Sequence, residues 1–216
     1  MSPEAPSRKP EVSPTAALLR RMRVPAPEAW SAALAPHCAR HAIDTPARLA
    51  AFLANAAHET GHFHRLEENL VYTAPRLMAV WPHRFPTLAA ARPFARAPEA
   101  LANHVYGGRM GNLRPGDGWR FRGRGLLMTT GRDNYCRLAI ATGRTPEQLL
   151  DWLLTPEGAA ESAVQFWSWR QCNQPADAGD LEEVRRRING GLIGLDDVRP
   201  RHAAVLAAIA KEFPAP

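Results

Sequence analysis

The sequence predicts a mainly α-helical domain of the α+β class, with one small β-hairpin. Threonine or proline opens several runs of apolar residues at helical spacing, most plainly at Thr45-Pro46. Most of the glycine-dense sequence falls in one stretch, residues 107–125, rather than between alternating strand-like runs. Only residues 67–73 suit an extended conformation, and these are assigned to the hairpin.

The elements follow in order. Residues 1–12 are polar and proline-rich and predict a disordered tail; residues 13–216 are expected to form a single domain. A short helix spans 16–23 and is broken by Pro25-Ala26-Pro27, and a second spans 28–41. Thr45 caps a third helix over 46–58, whose Leu49, Phe52, Leu53 and Ala56 recur at core spacing. Glu59 sits at its C-terminal end, where Gly61 stops it. After the hairpin come helices at 75–82 and 98–106. The glycine stretch then holds Gly107-Gly108, Gly116-Asp117-Gly118 and Gly123-Arg124-Gly125, a shaped loop rather than core. Further helices span 134–142, closed by Gly143; 156–170, with Phe166, Trp167 and Trp169; 181–188, ending at Asn189-Gly190-Gly191; and 201–213. No internal repeat and no long linker divides the chain.

A chain of 216 residues with 45% hydrophobic content can bury a core of its own. Its net charge is +6, carried almost wholly by arginine, since only Lys9 and Lys211 are lysine. A basic surface suits a polyanion such as nucleic acid, a membrane surface or an anionic cell wall. No run of cations resembles a nucleic-acid arm, so nucleic acid is not expected as a partner. Arg185-Arg186-Arg187, the densest cluster, reads as the exposed face of a helix. Cys38, Cys136 and Cys172 are odd in number and widely spaced, as small core residues of a protein folded in a reducing compartment. Residues 1–11 contain no apolar core of a secretory signal, so synthesis in the cytoplasm is expected. No stretch approaches the ~18 apolar residues of a membrane span, and membrane insertion is not expected. A monomer is expected.

The chemistry concentrates at His58-Glu59-Thr60-Gly61-His62, followed closely by Glu67-Glu68. Two readings compete. His-Glu-x-x-His is a zinc-peptidase signature, with both imidazoles on the metal and Glu59 as base. Against it, Gly61 weakens the helix such a site needs, and Arg65 and Glu68 stand where an extended zinc motif has glycine and histidine. Alternatively, two carboxylates across a cleft hydrolyse a glycosidic bond without metal or cofactor, one protonating the leaving oxygen and the other activating water. Glu67 and Glu68 would point to opposite faces of an extended segment, so only one can line the cleft. Spacing alone leaves both acids open as ordinary surface residues.

Four ordered stretches resemble glycoside hydrolase family 19, the chitinase family, and most of all its short phage and bacterial endolysin type. They are His58–Phe63; Glu68-Asn69-Leu70-Val71-Tyr72-Thr73; Phe121-Arg122-Gly123-Arg124-Gly125 and its continuation to Tyr135; and Ile188-Asn189-Gly190-Gly191. Asn103 to Tyr106 and Arg109 to Asn112 are similar to the short relatives as well. The resemblance covers about residues 15–210 and implies a lysozyme-like fold. It implies Glu59 as general acid and Glu68 as second acid, or Glu67 if the plant-type register is used. Thr130 takes the position of a hydroxyl that helps hold the attacking water. Asn134 and Asn189 take positions that bind sugar or orient the base, and Tyr72 belongs to the substrate-binding set. A late family arginine falls near Val198 or Arg199, and Arg199 is taken as its match. Met128 stands where the family has glutamine, which removes an amide able to bond sugar hydroxyls.

The expected activity is therefore inverting hydrolysis of β-1,4 bonds in peptidoglycan or a related N-acetylated polysaccharide, as a bacteriolytic endolysin acting on the wall after release. A chitinase acting on chitin oligomers is the alternative within the class. A zinc peptidase is the alternative outside it, and a wall-binding module without turnover is a third.

Overall fold

A computed structural model describes residues 11–214. The tail expected over 1–12 lies mostly outside them. Val12, however, is buried, and its N–H donates to the Asp44 carbonyl at 2.8 Å, so the domain begins by residue 12.

The described chain is built of α-helices. Its central element is Pro46–Thr60, in which every residue from Leu49 to Ala57 is buried. A helix apolar on all sides must be enclosed. Leu195–Glu212, Asn173–Asp177 and Leu181–Asn189 pack against it. Pro156–Trp169 and Pro27–Arg40 pack together beside it, and Phe52 meets Trp167 edge to face at 5.5 Å. This is the main core. A second cluster joins Leu70, Leu77, Phe85, Leu101 and Val105, and a third joins Phe121, Tyr135, Leu138, Leu149 and Leu153. The expected positions at 16–23, 28–41, 46–58, 75–82, 98–106, 134–142, 156–170 and 181–188 all hold helices.

Three differences have physical causes. The hairpin expected at 67–73 does not form, and among the described residues there are only the isolated bridges Glu67–Arg124 and Arg124–Thr129. The segment's backbone is satisfied piecemeal instead. Glu68 N–H donates to the Gly123 carbonyl, Val71 N–H donates to the Asn69 side chain, and the Tyr72 carbonyl accepts from Arg96. Partners this scattered leave no second strand to pair with. The last helix starts at Leu195 rather than 201, with Pro200 inside it. Short helices at Leu88–Ala91, Asp117–Arg120, Leu149–Trp152 and Asn173–Asp177 have too few residues to show a period in sequence.

The glycine-rich loop is fixed in place. Asp117, almost fully buried, takes two hydrogen bonds from Arg132 at 2.5 and 2.9 Å, tying the loop to the Arg132–Thr142 helix. Cys38 and Cys172 are buried core thiols, each pushed up to about 12 by desolvation, while Cys136 is half-buried; all three are free.

Candidate active site

The position of Glu59 is set by how its helix ends. Thr45 caps the start, its hydroxyl accepting from Arg48 N–H. At the other end Gly61 turns left-handed at φ 58°, and His62 and Phe63 continue in that region at 60° and 67°. Only glycine takes such a φ without steric cost, so the two residues after it carry strain. The buried Thr60 holds the turn by donating to Ala56 O and accepting from Phe63 N–H. The chain reverses within a few residues and carries Glu67 and Glu68 past the helix end.

Glu59 and Glu68 both line a cleft of about 660 Å³. Tyr72, Thr130, Asn134 and Asn189 line it too, so six of the seven expected site residues meet there. Glu68 is held at both oxygens: Oε1 accepts from Gly123 N–H at 2.6 Å and Oε2 from the Tyr106 hydroxyl at 2.7 Å. A side chain at Gly123 would press on Thr130 and Glu68, since a Cβ there would lie 3.1 Å from Thr130 Oγ1. Burial and the adjacent carboxylate push the Tyr106 phenol far above its ordinary range, so it remains a donor.

The neighbouring acid is used differently. Glu67 also borders the cleft, but its Oε1 accepts from Arg124 Nε at 2.9 Å and pairs with Arg122 at 2.6 Å. Arg124 is 5% exposed and also donates to Arg120 O and the Tyr135 hydroxyl. Glu67 therefore pairs with two arginines, one of them buried, whereas Glu68 is held only by the neutral donors Gly123 N–H and Tyr106. Glu67→Gln is expected to cost about 1–3 kcal/mol of stability, the scale of a lost hydrogen bond to a charged group. Its turnover should stay close to wild type. Denaturation and kinetics on one preparation check both, and severe loss of turnover without loss of stability would exchange the roles of Glu67 and Glu68.

Around them, Thr130 Oγ1 donates to Met128 O, Asn134 donates to Thr130 O, and Asn189 donates to Ile193 O. Tyr72 packs edge to face on Trp81 at 5.4 Å. Met128 lines the cleft with a left-handed φ of 50°. Arg199 is the exception. It pairs with Glu182 on the surface and is absent from the cleft, and its neighbour Val198 is buried in the domain.

The cation at Glu59 is Arg185. Its Nη1 lies 2.6 Å from Glu59 Oε1 and 3.2 Å from Asn55 Oδ1, and its Nε donates to Ile193 O at 2.8 Å. At 2% exposure it is a buried guanidinium, not part of an exposed face as its sequence suggested. The signal was present: Leu181, Val184, Arg185 and Ile188 fall on one helical face. Glu59 therefore faces a buried cation. Tyr106 and the cleft aromatics Phe166 and Trp169 were likewise not read as site residues.

The two histidines of the opening motif are separately engaged. His58 Nδ1 lies 2.6 Å from Asp197 Oδ2, and Arg201 bridges Asp197 to His62 Nε2. Arg201 first, then His58, hold the Asp197 carboxyl down to about 2. Desolvation and Arg201 lower His62, keeping its ring neutral near pH 7. Among the described residues, no group of three or more His, Cys, Asp or Glu could hold a metal ion. The network clamps the Leu195–Glu212 helix onto the end of the Pro46–Thr60 helix.

Two carboxylates on separate segments of one polar cleft are the equipment of a glycoside hydrolase. The sequence is 40% identical over 152 residues to a glycosyl hydrolase family 19 domain-containing protein of Haemophilus influenzae (strain ATCC 51907 / DSM 11121 / KW20 / Rd), covering 68% of this chain and 73% of that protein. The chain belongs to glycosyl hydrolase family 19. The structure is similar to chitinase C from Streptomyces griseus HUT6037, with a TM-score of 0.50 and 19% identity. That match covers 76% of this chain and 60% of the chitinase chain, and it shows the shared lysozyme-like fold. No family model matches the chain.

Proposed function

We propose that this family 19 domain hydrolyses β-1,4 bonds of peptidoglycan by single displacement, with Glu59 as general acid and Glu68 as general base. The observation that carries this is the division of labour among the three acids. All three border one cleft, but Glu67 is taken up by both Arg122 and Arg124, Glu59 by Arg185 alone and Glu68 by no cation. In this reading Glu59 protonates the leaving glycosidic oxygen, and the carboxylate left behind is stabilised by Arg185. Glu68, aimed by Gly123 and Tyr106, takes a proton from the attacking water, and Thr130, Asn134 and Asn189 orient water and sugar. Tyr72 offers a ring face to the sugar.

The net charge of +6 supports an anionic wall as the target. Free cysteines support synthesis in a reducing cytoplasm and action as a lysin on the wall after release. Among the described residues, no helix is long and apolar enough to cross a membrane. Chitin oligomers are the second reading, favoured by the fold shared with a chitinase. Mass analysis of the reducing ends released from purified peptidoglycan decides between them and identifies the bond cut. Products from chitin oligomers alone would replace the first reading with the second.

The first product should carry the inverted α anomer by NMR, because water attacks from the face opposite the leaving group. A β product would assign Glu68 as nucleophile. Chelation should leave turnover unchanged, and His62→Ala should keep substantial activity, since His62 Nε2 is engaged by Arg201. Loss on chelation with recovery in zinc would restore the peptidase reading.

A further inference from the structure

The charge of the cleft is not balanced within the protein. Its acids are already served: Glu59 by Arg185, Glu67 by Arg122 and Arg124, and Glu68 by Gly123 N–H and Tyr106. The cleft is also lined by Arg65, Arg109 and Arg170, all exposed. Among the described residues none of these three guanidiniums has an ion-pair or hydrogen-bond partner. Arg170 only lies over the Phe166 ring, 5.2 Å from its centre. Most other arginines near the site are used internally: Arg122, Arg124, Arg132, Arg185 and Arg201 each hold a carboxylate.

The three come from different parts of the fold. Arg65 follows the left-handed turn after Glu59 and lies against Gly61. Arg109 precedes Met110, whose carbonyl accepts from Asp133 N–H at the start of the helix that carries Asn134. Arg170 ends the Pro156–Trp169 helix, beside Trp169. An uncharged polysaccharide presents hydroxyls and acetamides, which neutral donors and aromatic faces bind adequately. A guanidinium is a fork for carboxylate, and several of them along one cleft suit a strand with acidic substituents.

We propose that Arg65, Arg109 and Arg170 are specificity residues that bind carboxylates on the substrate strand, the stem-peptide carboxylates of peptidoglycan, and so select it over neutral chitin. This inference rests on the peptidoglycan reading. Binding occurs away from the scissile bond, so these residues act mainly on KM and their contribution weakens with salt.

The test uses the full chain and two soluble glycan strands of equal length. Both carry stem peptides; in one the stem carboxylates are free, and in the other the same carboxylates are converted to methylamides. Arg109→Gln and Arg170→Gln are each expected to lower kcat/KM on the acidic strand about 10-fold, the scale of one charge-assisted hydrogen bond. The loss should lie in KM and should be much smaller on the amidated strand. Arg40→Gln, exposed at the end of the Pro27–Arg40 helix and outside the cleft, controls for general charge and should change neither. If wild type cuts the acidic strand and the cleft variants match it, or lose equally on both strands, the specificity role is overturned alone. If wild type cuts neither muramyl strand while cutting N-acetylglucosamine oligomers, the peptidoglycan reading falls, and this inference with it.

Discussion

Glu59→Gln should fold like the wild type and lose at least ~100-fold in turnover, the scale of a positioned general acid. The fold survives because the amide oxygen still accepts from Arg185 Nη1, and Arg185 keeps its Nε bond to Ile193 O and its Nη1 bond to Asn55 Oδ1. The chemistry does not survive, because an amide gives no proton to a leaving alkoxide. Glu68→Gln should be nearly as severe, since an amide oriented by Gly123 and Tyr106 cannot take the proton of water. Turnover is read as release of reducing ends, with circular dichroism on the same samples. Near-normal turnover in Glu59→Gln would end the two-carboxylate mechanism for this chain.

Arg185→Met carries the largest expected loss of stability. Removing the guanidinium strips a donor from Glu59, from the fully buried Asn55 and from the Ile193 carbonyl. Breaking a buried ion pair by deleting one partner costs about 3–5 kcal/mol. Glu59 keeps 21% side-chain exposure and can be partly rewetted. The expected cost is therefore at the low end, about 3 kcal/mol, or a fall in Tm of about 6–12 °C for a domain of this size. Turnover should fall as well, because the carboxylate left after proton donation loses its counter-charge. Combining Arg185→Met with Glu59→Gln should recover part of the stability, since no unpaired carboxylate remains. A single variant that melts within a degree or two of wild type, with additive effects in the pair, would show that the contact contributes little.

What could be read in advance followed from local rules. Thr45-Pro46 marked the start of the central helix and Gly61 its end, and the structure has both. Leu49, Phe52, Leu53 and Ala56 recurred at core spacing and all four are buried, while burial of the residues between them emerged only from the structure. Glu59, Glu68, Tyr72, Thr130, Asn134 and Asn189 were placed by motif, and they line one cleft. The failures needed tertiary knowledge. Residues 67–73 look extended, but a strand exists only if another pairs with it. The last helix was expected from residue 201, yet it starts at Leu195 and runs through Pro200, its sixth residue, which gives up one i→i−4 bond without ending it. Arg185 reads as solvated because charge usually is, and only the facing helix reveals the acceptors that bury it. Arg199 was placed by distance along the chain, which says nothing about which side of a helix reaches the cleft.

The parts that complete the acid site all come late in the chain: Arg185, the Ile193 carbonyl that orients it, and Asp197 clamped to His58. A polypeptide leaving the ribosome therefore carries both carboxylates long before it carries the cation and the clamp that organise one of them. The ion pair and the clamp around the end of the Pro46–Thr60 helix form only when the Leu181–Asn189 and Leu195–Glu212 helices dock. A protease that nicks the Gly190–Gly194 loop would disarm the enzyme without touching either acid.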